Sequence, residues 1–291
     1  MKKIIFLLFV LCAQGIAQAR TVDVHASYTG ASRFDQAQVG ATMALTLNTL
    51  VGLEAKLVNE RAFKDPIYAV ALPVSVDFDI LRISLRPFYY LKNKSNQPAF
   101  QDASAFGVSG QARMTLREDT VNDIYTYAFI NAAFARQKGT VFFNNAPDEN
   151  RYYSQAAYLL GISNTLFNAF GLDLIGTVFQ YPNGISGVAG LRSIMNQQEL
   201  ANTQTLDIVH DLAKYTLGAR LTRMWPDNNS SLYASYRYAE YHTADPEHSI
   251  VVGNSFPVAK QISMDLAYNH VRSVHNKNRR DILFIQLTAS F

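Results

Sequence analysis

The chain has 291 residues, a formal net charge of +3, and 48% hydrophobic against only 17% charged residues. So weak a positive balance gives no footing for nucleic acid or another polyanionic partner. Charged residues are scarcer than in ordinary soluble domains while Tyr (16) and Phe (18) are abundant, which argues against the soluble one- or two-domain default for this length.

The first element is a targeting segment. Residues 1–19 read MKKIIFLLFVLCAQGIAQA: Lys2 and Lys3 form a charged head, Ile4 to Leu11 an apolar run too short to span a bilayer, and Ala17, Gln18 and Ala19 a small-x-small cleavage site. A secretory signal cut after Ala19 is expected, leaving 20–291 as one mature domain. Loss of Lys2 and Lys3 lowers the formal charge to +1. Cys12, the single cysteine, goes with the signal, and Leu11 stands before it where a lipoprotein signal carries a small residue. The mature chain is then without thiol, disulfide or cysteine-ligated metal. No later run of about 18 apolar residues follows, so no transmembrane helix is expected.

From there the chain alternates. In 36–48, QAQVGATMALTLN, the residues Ala37, Val39, Ala41, Met43, Leu45 and Leu47 share one parity, and Gln36, Gln38, Gly40, Thr42, Thr46 and Asn48 share the other. That is one amphipathic strand, about twice the usual length of roughly five or six residues. Similar segments follow at 51–57, 68–76 and 81–89, the last containing Pro87, which suits an edge, a bulge or a strand's outer end. More lie near 106–116, 124–135, 152–164, 172–181, 213–224, 231–241, 249–256, 262–272 and 282–291. With 22–29 the count is about fourteen, or sixteen if 182–212 holds two more. Within 124–135 the parity changes between Tyr125, Tyr127, Phe129 and Ile130, Ala132, Phe134, which predicts a bulge or a strand boundary other than the one drawn. The segment from Leu172 has no clean polar face.

The connections differ by side. Short ones near 48, 77–79, 117–123, 166–171 and 225–230 interleave with longer polar ones at 59–66, 92–105, 136–151, 242–248 and 273–280. Residues 182–212 are longer than a loop without a task, and are expected to form a long extracellular loop or one constricting the lumen. Short turns at one end, long loops at the other and an apolar face on nearly every strand describe an all-β transmembrane antiparallel barrel. In hydrocarbon only a helix or a closed sheet satisfies every amide. A soluble sandwich would use shorter strands and turn those faces inward.

The last segment, RRDILFIQLTASF, places Leu283, Ile285, Leu287, Ala289 and Phe291 on one parity, with Phe284 the exception on the other. This aromatic-ended strand, joined to a signal peptide, resembles the Gram-negative outer-membrane β-barrel class, porin-like in kind. The resemblance implies an outer-membrane location, both termini periplasmic, and recognition of Leu283, Ile285, Leu287 and Phe291 by the barrel-assembly machinery, with periplasmic chaperones and outer-membrane lipid as further partners. Ala289 stands where the class often has a bulkier residue. Trimeric members of the class are longer, so a monomer is expected.

With the apolar parity outward, Glu54, Lys56, Asp77, Arg82, Arg86, Arg113, Arg220, Arg237 and Asp265 point inward as candidate pore-lining residues, joined by Asp23 and His25. Charges of both signs facing each other across a narrow pore would create a transverse field that polar solutes tolerate. The rival is a set of ordinary salt bridges filling the inside. The expectation is passive diffusion of small hydrophilic solutes, with no catalysis, no cofactor and no metal. A non-conducting barrel serving as surface anchor, adhesin or assembly accessory is the alternative, and an outer-membrane hydrolase the third. His25 and Ser27 have the two-residue spacing that puts both on one face, but it is the inner one, where lipid has no access. HTADPEH carries His242, Asp245, Glu247 and His248 in a polar loop, the residue types of a membrane protease or a metal site, although a solvated loop explains them equally.

Overall fold

The computed structural model describes residues 21–32, 34–60, 65–94, 100–119, 124–143, 146–166, 169–182, 212–276 and 278–291. The signal segment 1–19 and residues 183–211 of the long connection lie outside the described residues.

Among the described residues, fifteen strands form one antiparallel sheet: β1 (Val22–Ala31), β2 (Phe34–Ala44), β3 (Thr49–Glu60), β4 (Ile67–Ala71), β5 (Val74–Phe78), β6 (Leu81–Lys94), β7 (Phe100–Asp119), β8 (Ile124–Phe143), β9 (Ala146–Leu166), β10 (Phe170–Gln180), β11 (Ala213–Trp225), β12 (Ser230–Tyr241), β13 (Glu247–Ala259), β14 (Ile262–Ser273) and β15 (Arg279–Ser290). Each pairs with its neighbours in sequence except β4 and β5, which do not pair with each other but each pair with β3 and β6, and β1 also pairs with β15, so the sheet closes on itself. Val22 and Phe291 lock that seam by exchanging backbone hydrogen bonds of 3.0 and 2.9 Å.

β4 and β5 are halves of one stave. Ala71 faces Phe88 and Val74 faces Leu85, so the count across the gap at Leu72 and Pro73 is unbroken on the β6 side. Pro73 has no amide hydrogen to give the ladder. Its carbonyl accepts from Gly52 at 2.7 Å, and the Leu72 amide donates to the Pro87 carbonyl at 3.0 Å. The barrel therefore has fourteen staves, the number expected from the alternation. Pro87 lies at none of the places a strand proline prefers, but inside β6, opposite Val108 and beside this gap.

Two expectations are corrected. The pairing of β8 with β9 runs without a shift from Thr126 through Val141, so β8 has no bulge of its own at Phe129. Parity is constant: Phe129, Asn131, Ala133 and Ala135 face inward, Ile130, Ala132 and Phe134 outward, and the irregularity sits on β7 between Thr115 and Arg117. The expected loop over 136–151 is mostly strand, with residues 144–145 alone between β8 and β9. Past the apolar zone this hairpin carries polar residues on both faces, Arg136 and Lys138 outward and a buried Gln137 inward, so the hydropathy alternation vanishes while the hydrogen-bond ladder continues.

The exterior is apolar and exposed. Leu53, Leu85, Phe106, Ile130, Leu160, Leu217 and Ile250 are 50–65% accessible, an arrangement that water would disfavour and lipid accepts. The parity exception in the last strand is resolved by the interior: Ile282 is fully buried and Phe284 packs beside it, against Tyr233, Val251, Ala267 and Val271.

Candidate functional site: the barrel lumen

By the alternation of exposure all nine charged candidates share the inward parity, seven of them nearer the termini and Lys56 and Arg237 further along. Toward the end that carries the chain termini, the tight turn after β5 sets Asp77 opposite Arg82. The two form a two-pronged ion pair, one arm of which is a 2.5 Å bond from Arg82 Nη2 to Asp77 Oδ2. Both are more than a third exposed, so the pair contributes at most about 1 kcal/mol and fixes geometry more than stability. Arg113 follows on β7 in register with Arg82, its guanidinium 4.8 Å from the centre of the Tyr127 ring. Tyr125 stacks on Tyr127 at 6.0 Å, so the inward aromatic residues of β8 serve the arginine row.

One level further along, Arg86 donates to Glu54 Oε2 from Nε at 3.0 Å and Nη2 at 2.6 Å, and Gln38 donates to the same oxygen at 3.3 Å. Glu54, Lys56, Arg86, Phe88 and Tyr90 border a small pocket here. On the far wall, Tyr233 Oη donates to Asp265 Oδ1 at 2.9 Å while Arg220 sits 3.9 Å over its ring. The ring lies across Gly253, its register partner, where any Cβ would meet it within 3 Å. Two of the three carboxylates thus take a neighbouring arginine, Asp77 with Arg82 and Glu54 with Arg86, the arrangement weighed as the rival to a transverse field, while Asp265 accepts from a tyrosine and Arg113 and Arg220 lie against tyrosine rings.

Toward the opposite end the inner wall changes character. Ile67, Ala69, Phe88, Tyr90, Ala105, Ala135, Tyr153, Ala157, Phe179, Ala213 and Tyr241 are all at most 6% exposed and belong to one cluster. Lys56 and Arg237 are buried at the same depth of exposure, 7% and 5%. The sequence reading missed this band because alternating Ala and Tyr on an inner face looks neither apolar nor polar. Tyr181, just beyond β10, stacks on Tyr153 at 5.8 Å and donates to the Ala213 carbonyl at 2.7 Å.

The candidate catalytic residues do not converge. The His25 ring fills the space where Gly40 lacks a side chain, beside Glu54 and facing inward with Ser27. His242 meets Tyr181 edge-on at 5.5 Å, and desolvation together with Lys214 holds it below the ordinary histidine value. Asp245 accepts from Ser273 at 3.3 Å and from Asn276. Glu247 accepts from Tyr241 at 2.9 Å and pairs with Arg280. His248 points outward between Tyr236 and Tyr238, 2.5 Å from Tyr236 Oη. Among the described residues, no three His, Cys, Asp or Glu side chains group as metal ligands.

No protein-family model matches the chain, and no curated protein does. Solved structures that resemble it include the KdgM porin, 7% identical over 92% of this chain and 99% of that one with a TM-score of 0.44. The Pseudomonas putida toluene transporter TodX is 10% identical over 94% and 89%, with a TM-score of 0.46. Acinetobacter baumannii OccAB1 is 9% identical over 94% and 98%, with a TM-score of 0.46. Likenesses of this order carry no argument about function.

Proposed function

We propose that the protein is an outer-membrane channel of a Gram-negative bacterium, through which small hydrophilic solutes diffuse passively. The observation that carries this reading is the division of the fourteen staves into an apolar outer face and an inner wall holding Glu54, Asp77, Arg82, Arg86, Arg113, Arg220 and Asp265. A wall carrying both signs of charge offers hydrogen bonds to a polar solute. Six of the nine candidates are basic and three acidic, which favours anionic over cationic solutes modestly. The residues that could have formed a hydrolase site are engaged separately, which supports transport over catalysis.

One observation favours the non-conducting alternative, a barrel valued as an anchor or adhesin: the buried Ala and Tyr band beyond the charged levels. Solute entry separates the two. Proteoliposomes holding the refolded protein should swell in isotonic solutions of small sugars at rates falling with solute size. Swelling equal to that of protein-free liposomes, at verified protein content, would refute the channel.

A further inference from the structure

We infer that the outward face of β13 to β15 carries a binding site for the phosphate of an anionic lipid in the outer leaflet. Along β14 the outward residues run Ile262, Met264, Leu266 and Tyr268, and then turn polar at His270 and Arg272. On β15 the same level brings Asp281 and Arg279 above Leu283. The change falls at one height on both strands, at the rim opposite the termini, where the hydrocarbon gives way to headgroups.

Arg272 and Arg279 are direct cross-strand partners, and His248 faces Arg272 from the other side. Two like charges directly opposite each other cost stability unless something between them is negative. Asp281, beside Arg279 on the same face and within reach of its charge, spends its Oδ1 elsewhere: that oxygen accepts from Tyr268 Oη at 2.5 Å and lies 2.8 Å from His270 Nδ1. Among the described residues no carboxylate lies at ion-pair distance from either arginine, and both side chains are exposed. Two guanidinium groups on neighbouring strands, flanked by an imidazole and standing directly above an apolar face, match a phosphate whose acyl chains lie along that face. The lumen charges contrast with this: there Glu54 takes Arg86 and Asp77 takes Arg82.

A second basic pair occurs six staves away. On β8 the outward Phe134 is followed by Arg136 and Lys138, with Arg136 4.4 Å over the Tyr152 ring. The same order of apolar, aromatic and basic residues on two separated parts of the ring ties it to a surrounding sheet of lipid rather than to one protein partner. This inference rests on the barrel being seated in the outer membrane and not on its being open.

The test uses the folded full-length mature protein in detergent micelles, titrated with lipopolysaccharide, with the same material after phosphatase treatment, and with inorganic phosphate. The expected result is that the Arg272→Gln/Arg279→Gln double variant binds intact lipopolysaccharide about tenfold more weakly than the wild type. The dephosphorylated material should bind both equally, and millimolar inorganic phosphate should compete poorly. Arg113→Gln, which removes one charge from the lumen, should bind as the wild type does. Heat-modifiable migration confirms folding, and the single variants, each losing part of the affinity, cover a double variant that does not fold. Unchanged affinity in the folded variants, an equal loss for both lipid forms, an equal loss in Arg113→Gln, or displacement by inorganic phosphate at the same concentration as lipid would overturn the inference. Conductance is not the readout, so a closed barrel with this site and an open one without it are told apart.

Discussion

At the residue scale, the inner wall is built by matching a missing side chain to a large one. Gly253 accepts the Tyr233 ring, which in turn holds Asp265 and carries Arg220. Since the Cβ of an alanine would overlap that ring, Gly253→Ala should force it off its position and lower stability by about 1–3 kcal/mol. Urea-dependent loss of the heat-modifiable band checks this, and a variant as stable as the wild type would show that the contact is incidental. Glu54 and Arg86 make a second such unit, nearly enclosed, with side chains 15% and 18% exposed. Removing one partner leaves the other charge uncompensated on the lumen wall. The charges themselves were legible in the sequence from parity alone. Their pairing was not, because Glu54 on β3 meets Arg86 across the β4 to β5 stave, a contact set by register and by the gap at Pro73.

At the scale of elements, strand number and order were legible wherever a strand crosses the apolar zone, since only there do the two faces differ in polarity. Where strands leave that zone the signal disappears, as in the β8 to β9 hairpin. The reverse failure occurs in β8 near Phe129, where aromatic residues face inward to serve Arg113 and mimic a change of parity. The last strand has a role beyond packing, since β15 closes the ring on β1 and Phe291 makes two of the closing hydrogen bonds with Val22. Deletion of Phe291 should therefore cut the yield of folded barrel several-fold while leaving the conductance of each folded molecule unchanged. Quantifying the folded band in outer-membrane fractions tests this, and normal insertion of the truncated chain would contradict it.

At the scale of the whole molecule, a closed sheet with a lipid-compatible outside and a charged inside is useful as a conduit only if a continuous aqueous path runs through it. The charged levels toward the termini supply a polar wall, and the Ala and Tyr band beyond them is where such a path would be narrowed or closed. Because Glu54 and Arg86 carry opposite charges at one place on the wall, their removal should shift selectivity in opposite directions: Glu54→Gln toward anions and Arg86→Gln toward cations. The most direct measurement is single-channel recording in planar bilayers of the refolded wild type, Glu54→Gln and Arg86→Gln, with reversal potentials read across a salt gradient. A channel of this kind should give discrete ohmic steps and opposite displacements of the two variants' reversal potentials about the wild type. Conductance indistinguishable from a protein-free bilayer, or steps whose selectivity ignores both substitutions, would contradict it.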